Sequence, residues 1–506
     1  MQKRLYPIGR QDFPGIRREG SVYVDKTMHV INLIKYSKYN FLSKPRRFGK
    51  SLLISTLETV FKGSQDLFEG LYIYDKWEFE EYPIIRISFS NIGYREVGLD
   101  SAIKSELQKI AKNYGLHLIE EDISQKLREL ILKLEKKFNK QVVLLIDEYD
   151  KPIIDYLDKE NLPFALTNRG VMKTFYSVLK DADPHLKFVL ITGVSKFSKV
   201  SIFSDLNNLT DLSMNPDFNE ICGISQKELE KNFSEELKIY DKAKIKEWYN
   251  GYKWDLEGDS VYNPFSILNF FQNKGKFENY WFATGTPTFL FEICKEQKFY
   301  DFETTEMSSI EMNSFDIENL KMMPLLYQTG YITITDYDSL FHLYKLKFPN
   351  KEVKNAYLQG LLEVYSEIKD SSTTLLIRNL HNALKTKNTD SLKEVINHVF
   401  HQLPYDLWIS DKEHFYHAIV HLTFSLLGVF INSEVHTKNG RADALVFLDE
   451  EIFCLEFKLD KSADEAIKQI EERAYTEKYK GHVVHHIGIN FSSEKKEVEE
   501  IVWKKL

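Results

Sequence analysis

At 506 residues the chain is too long for a single hydrophobic core, and its length suggests about three domains. A hydrophobic fraction of 43% and a charged fraction of 28% are those of a soluble globular protein. With 67 basic against 75 acidic residues the net charge is −8, which excludes a general affinity for nucleic acid or an anionic membrane and leaves such contacts to local patches. The three cysteines, Cys222, Cys294 and Cys454, are scattered without metal-ligand spacing and argue against a disulfide framework.

The opening MQKRLYPIGRQDF carries no apolar signal segment, which together with the cysteine usage predicts a cytoplasmic protein. Up to about residue 215, short apolar strands (YNFLS, PIIRISFS, QVVLLIDEYD, LKFVLITG) alternate with helical stretches. That alternation predicts an α/β fold, a parallel sheet with helices on both faces. From 216 to 370 the pattern is mostly helical and rich in aromatics, and LLYQTGYITITDYDSLFHLYKLKFPNKEV reads as a helix, a two-stranded wing and a further helix. The aromatics between 249 and 290 alternate with Leu and Ile and are read as core rather than as base-stacking platforms. A charged helical lead-in then opens a third unit, 371–506. Its apolar run 415–432 is long enough to raise the question of a membrane span. His417 and His421 lie within it and charges flank it closely, so a buried helix and no membrane contact are expected.

Two segments carry nucleotide chemistry. KPRRFGKS, Lys44-Pro45-Arg46-Arg47-Phe48-Gly49-Lys50-Ser51, matches the phosphate-loop pattern except that Lys44 stands at the first glycine position. An apolar strand precedes it and a helix follows. The amides at that helix start would hold phosphates, Lys50 would reach the terminal ones, and Ser51 would bind Mg²⁺. The second segment, VVLLIDEYD, is a buried strand ending in Asp147 and Glu148. At the carboxyl end of a parallel strand, Asp147 would hold magnesium and Glu148 would polarise the attacking water. The next strand ends in Thr192, which with Ser195 is a candidate for sensing the terminal phosphate.

A third segment, GRADALVFLDEEIFCLEFKLD at 440–460, reads as a hairpin that carries charge inside its apolar runs. With Asp449–Glu450 as a two-residue turn, Leu448 pairs with Glu451, and Asp443 falls directly opposite Glu456. Lys458 shares the face of Glu456. Opposed like charges destabilise a hairpin, and a divalent cation between them would relieve the repulsion, polarise a phosphodiester and lower the pKa of a bound water. Lys458 would position that water or stabilise developing negative charge.

The set YVDKT (23–27), PRRFGKS (45–51), LLIDEYD (144–150), ITGVSKFS (191–198), YNGY (249–252), YNPFSIL (262–268) and LLYQTGYI (325–332) resembles the AAA-ATPase-like family of prokaryotic proteins over essentially the whole chain. Many members end in a PD-(D/E)XK-type nuclease domain. The resemblance implies an AAA-like P-loop ATPase core over 1–215, a helical lid and winged-helix-like region over 216–370, and a PD-(D/E)XK nuclease-like domain with a helical lead-in over 371–506. In the last, Asp443, Glu456 and Lys458 match the acid and E-x-K, Glu413 resembles the additional acidic ligand, and Gln469 with Tyr475 resembles the helical Q…Y element. Ala442 replaces the proline of the pattern. His414, His417 and His421 lack an HExxH pattern and a third ligand, and are read as packing residues.

The resemblance implies ATP and Mg²⁺ as cofactors, with Mn²⁺ able to substitute, and nucleic acid as substrate, DNA ahead of RNA. It allows for a homo-oligomer formed through the ATPase module. The expected function is an ATP-binding and hydrolysing protein coupled to a magnesium-dependent nuclease. The alternative is a nucleotide-dependent switch whose nuclease-like domain binds or assembles rather than cuts.

Overall fold

The chain's computed structural model describes residues 4–196, 202–203, 206, 208–282, 288–297, 299, 305–312, 317–318, 320–366, 370–401, 412–430, 432–435, 443–479 and 481–505. They belong to two compact units: Met1–Trp281 with Glu306–Asn350, and Phe282–Thr305 with Lys351–Leu506.

The first unit is built on a parallel sheet. Strands β1 (Tyr39–Ser43), β2 (Ile84–Ser88), β3 (Val142–Asp147), β4 (Leu186–Gly193) and β5 (Thr210–Asp211) lie in the order β2-β3-β4-β1-β5, with every pairing parallel. All positions of β1 and β3 are buried, the pattern of strands covered on both faces. Helices Lys50–Phe61 and Ile123–Phe138 both pack on β3. In the second of these helices, Asp122 accepts from Ser124 N at 2.9 Å to cap the first turn. Leu127, Leu130, Ile131 and Leu134 are buried at helical spacing. The four apolar runs read from the sequence are thus β1 to β4. β5 has two half-buried residues and no apolar run to announce it.

Strand order matters for function here. Because β4 lies between β1 and β3, its carboxyl end reaches the ends of both: Thr192 pairs with Leu42 and Gly193 with Ser43, while Ile191 pairs with Ile146.

Beyond the sheet, β6 (Ile224–Ser225) pairs with β7 (Val261–Tyr262) beside an aromatic core that includes Phe233, Tyr249, Tyr262, Phe270 and Phe271. These aromatics are buried, as their alternation with aliphatic residues predicts. Strands β8 (Thr305–Ser308), β9 (Thr333–Asp338) and β10 (Leu343–Lys347) form a sheet in the order β8-β10-β9. Helix Met322–Thr329 precedes the antiparallel β9–β10 hairpin, the expected wing.

The second unit carries a mixed sheet of β11 (Asn432–Val435), β12 (Ala444–Leu448), β13 (Glu451–Leu459), β14 (Val483–Ser492) and β15 (Glu497–Lys505), adjacent in chain order. Only β13 and β14 pair in parallel, and helix Ala463–Glu472 makes the crossover between them. Ser462 caps that helix by accepting from Glu465 N at 3.1 Å, and Ala463, Ala466, Ile467 and Ile470 form its buried face. The apolar run that begins at 415 falls, up to Phe430, on helix Lys412–Phe430, where Ile419, Leu422, Phe424 and Leu427 are buried. Among the described residues no helix is long and apolar enough to cross a membrane.

Candidate functional site

The phosphate loop leaves β1 at Ser43, with Lys44 N still donating to Gly193 O at 3.2 Å. It then turns through Arg47 at φ 67° and Gly49 at φ 95° into helix Lys50–Phe61. Glycine meets that last requirement without strain, and the space a β-carbon would occupy there is open. The free amides of this helix start are a natural anion site. Ser51 is half-buried in its first turn. The buried Lys50 ammonium donates to Lys44 O at 2.7 Å and Pro45 O at 2.9 Å. Burial lowers its pKa and nearby Asp147 opposes that shift.

Lys44 is also buried, but it serves a different set of groups. Its ammonium donates to Ser213 O at 2.9 Å and lies 4.4 Å from the centre of the Trp254 ring, and burial pulls its pKa down to about 7. Phe48 meets Tyr252 and Trp254 edge-on at 4.7 and 5.4 Å, and Trp281 Nε1 donates to Arg46 O at 3.1 Å. Arg46 and Arg47 are exposed, with the Arg47 guanidinium 5.1 Å from the Phe265 ring centre. The motifs at 249–252 and 262–268 therefore meet the loop directly, a contact that no local pattern announces.

At the end of β3, buried Asp147 accepts from Thr192 Oγ1 at 2.7 Å. Glu148 follows at φ 53°, a left-handed conformation that costs a non-glycine residue roughly 1–2 kcal/mol. Next comes Asp150, which the sequence reading passed over. It is 1% exposed and accepts from Val194 N at 2.8 Å, Ser195 N at 2.6 Å and Ser195 Oγ at 2.8 Å. Burial raises its pKa and the Ser195 and Val194 donors pull it back. The hydroxyls of Thr192 and Ser195, both candidates for sensing phosphate, are thus engaged by Asp147 and Asp150 respectively. The only sequence signal for Asp150 was the second aspartate of LLIDEYD.

In the second unit, the turn between β12 and β13 has Asp449 at φ 53° and Glu450 at φ 82°, the two left-handed residues that a tight hairpin requires. The register runs from Leu448 opposite Glu451 to Ala444 opposite Leu455. One step further, Asp443 N donates to Glu456 Oε2 at 3.3 Å and Phe457 N donates to Asp443 Oδ2 at 2.8 Å. Lys458 Nζ donates to Glu456 Oε1 at 3.1 Å and to Gln469 Oε1 at 2.6 Å. The Gln469 amide nitrogen donates to Glu456, and to the Tyr475 hydroxyl at 3.3 Å. Asp443, Glu456, Lys458, Gln469 and Tyr475 are thereby gathered into one constellation.

Glu456 is 2% exposed, and burial first, then Asp443, push its carboxyl up to about 7 against the pull of Lys458. Two opposed carboxylates with one lysine suit a hard divalent cation, for which oxygen donors are the preferred ligands. Glu413 lies on helix Lys412–Phe430, but its side chain, like those of His414 and His417, is outside the described residues, as is Ala442. His421 is buried in that helix. Among the described residues no group of three or more His, Cys, Asp or Glu side chains is arranged to hold a metal.

A phosphate loop and an acid-tipped strand at the carboxyl edge of one parallel sheet, with β4 between their strands, define a P-loop ATPase-type module, and the second unit has the layout of a nuclease-type fold. The comparisons with known proteins agree. The family model described as predicted AAA-ATPase matches residues 7–203, and that of the PD-(D/E)XK nuclease superfamily matches 411–501. The "Uncharacterized protein in vnfD 5'region" of Azotobacter chroococcum mcd 1 is 34% identical over 521 residues, covering 100% of both chains. This chain belongs to the AAA-ATPase-like family and carries a C-terminal PD-(D/E)XK nuclease superfamily domain. No solved structure matches it.

Proposed function

We propose that the chain binds and hydrolyses ATP and couples that cycle to a magnesium-dependent nuclease that cuts phosphodiester bonds, DNA being the expected substrate. The observation that carries this reading is the opposition of Asp443 to buried Glu456, with Lys458 bonded to Glu456 on the same strand, in a chain that also holds a phosphate loop. In the ATPase module, assigned to 1–215, the amides of the 44–51 loop receive the phosphates. Lys50 exchanges its loop carbonyls for phosphate oxygens, Ser51 and Asp147 hold Mg²⁺, and Glu148 orients the attacking water. Thr192 fixes the Asp147 carboxylate and so the direction in which it presents its other oxygen.

In the nuclease-like domain, assigned to 371–506, Asp443 and Glu456 hold the cation, with Glu413 as a further ligand. Bound there, Mg²⁺ or Mn²⁺ supplies Lewis acidity to the scissile phosphate and to water. Lys458 donates toward the developing negative charge, and Gln469 holds the lysine from its far side. The 216–370 region is assigned as lid and winged-helix-like segment, and copies of the chain assemble through the ATPase module.

The test is incubation of the pure chain with labelled single- and double-stranded DNA and RNA, with Mg²⁺ or Mn²⁺, beside Asp443→Asn. Metal-dependent cleavage that the variant lacks supports the reading, and cleavage undiminished in Asp443→Asn would sink the metal-pair assignment. A second reading, a nucleotide switch whose nuclease-like domain binds or assembles without cutting, draws support from charge. Residues 401–506 carry 13 Lys and Arg against 19 Asp and Glu, an unfavourable balance for free access to nucleic acid.

A further inference from the structure

The end of β3 and the end of β4 are tied on both sides of Glu148. Before it, Thr192 Oγ1 donates to Asp147 Oδ1 at 2.7 Å. After it, Tyr149 N donates to Thr192 O at 3.0 Å and the Tyr149 hydroxyl to Ser195 O at 3.0 Å. Asp150 completes the clasp, its carboxylate taking Val194 N, Ser195 N and Ser195 Oγ. The fit leaves no slack. A β-carbon on Gly193 would sit 2.5 Å from Tyr149 Cε1 and 2.8 Å from Asp150 Oδ1.

Within this clasp Glu148 alone holds a left-handed backbone, at φ 53°, and its side chain is half-buried while Asp147, Tyr149 and Asp150 are buried. A glutamate left to itself would relax to a right-handed or extended conformation, which would swing its carboxylate elsewhere. The residues on each side prevent this. Asp150 is also far from idle in energy terms, since a fully buried carboxylate persists only where donors compensate it.

We propose that Asp150 is a positioning residue for ATP hydrolysis: by clasping Val194 and Ser195 it fixes the strained turn that aims Glu148 at the attacking water. This rests on the reading of Glu148 as the water-orienting group. Asp150 touches no reacting atom in this scheme; its effect is transmitted through the backbone of 148–150. The same clasp extends beyond the sheet, because Lys196 N, next in line, donates at 2.8 Å to Gln328 Oε1 of helix Met322–Thr329.

The experiment measures steady-state ATP hydrolysis and the affinity for a fluorescent ATP analogue in the full chain. The variants are Asp150→Asn, Gly193→Ala, Glu148→Gln and the double variant Glu148→Gln/Asp150→Asn. Asp150→Asn keeps one acceptor oxygen and the side-chain volume, and Gly193→Ala disturbs the clasp from its other side, so one variant that fails to fold does not decide the matter. Expected is a fall in kcat of about 10- to 100-fold, the size a misplacement of about an ångström causes, with KM and analogue affinity within about 3-fold of the parent. The double variant should be no slower than Glu148→Gln alone, because a misaimed group that is already disabled has nothing further to lose. Unchanged kcat in both single variants, or a double variant slower by the full Asp150→Asn factor, overturns the proposal while leaving ATP hydrolysis intact. A parent chain that binds the analogue without hydrolysing ATP overturns the hydrolysis reading itself, and the clasp with it.

Discussion

Both candidate sites set a lysine among carboxylates, yet the two are balanced differently. In the first unit the two buried aspartates at the end of β3 already have neutral donors: Thr192 serves Asp147, and the Val194 and Ser195 groups serve Asp150. Lys50 is satisfied by the carbonyls of its own loop, bonds it can exchange for phosphate oxygens. In the second unit two carboxylates face each other across a hairpin with Lys458 beside them, and burial first, then Asp443, push Glu456 up to about 7. Preorganisation thus comes from neutral backbone and hydroxyl donors in one place and from opposed carboxylates in the other. A nucleotide should find its site already shaped, whereas a cation should change the electrostatics of its site substantially.

The largest effect that would sharpen this contrast is on ATP turnover. Glu148→Gln keeps the shaped loop and alters only the water-orienting group, so hydrolysis should fall about 10²- to 10⁴-fold with analogue affinity retained. Lys50→Ala should lose affinity instead, because it removes a cation from the phosphates. Hydrolysis by Glu148→Gln at the parent rate would assign the water to another residue. On the nuclease side, Lys458→Ala should lower cleavage about 10²- to 10³-fold while calorimetry still detects Mn²⁺ binding, since the acids remain. Loss of the metal in that variant would make Lys458 a structural residue.

A smaller effect tests the charge imbalance directly. The folded-state pKa of Glu456 lies near 7, above the 4.5 of an unperturbed glutamate. Between those values the folded chain holds this proton more tightly than the unfolded chain, so the group's contribution to stability falls as pH rises through the window. Thermal unfolding of the second unit in the presence of a chelator should therefore shift down between pH 5 and pH 8. Mg²⁺ should reverse the loss, and Glu456→Gln should flatten the profile. A metal-free profile as steep in Glu456→Gln as in the parent would place the titrating group elsewhere. Asp443→Asn should raise metal-free stability at pH 8 by a smaller margin, because it removes the repulsion and leaves the burial cost.

How much of this could be read from residues alone follows the range of each interaction. The hairpin register was legible because a two-residue turn and a period of two fix every pairing, so 449–450 determines that 443 faces 456. The strands β1 to β4 were legible as short, mostly apolar runs, and the five-residue apolar run of β3 is one that doubly covered strands bear. What was not legible depends on long-range contact. Nothing local announces that Trp254 faces Lys44, that Trp281 caps the carbonyl of Arg46, or that Asp150 reaches across to the next strand. Strand order created that last contact, since β4, which begins only at Leu186, enters between β1 and β3, and β3 ends at Asp147. The side chain of Glu413, a ligand by resemblance, lies outside the described residues.

The central claim is that the nucleotide site governs the metal site, and the most direct measurement compares cleavage of labelled DNA by Glu148→Gln with ATP and by Lys50→Ala, at matched protein and metal concentrations. The first variant holds ATP and the second lacks it. A ligand shifts a conformational equilibrium only by its differential affinity for the two states, and couplings of about 1–3 kcal/mol are usual. The account predicts a ratio on the order of 5- to 150-fold, with the ATP-holding variant the more active, because the acidic nuclease-like domain needs an ordered arrangement before it can approach nucleic acid. Equal cleavage by the two variants would contradict it, and would mean that the two modules share a chain without sharing a switch.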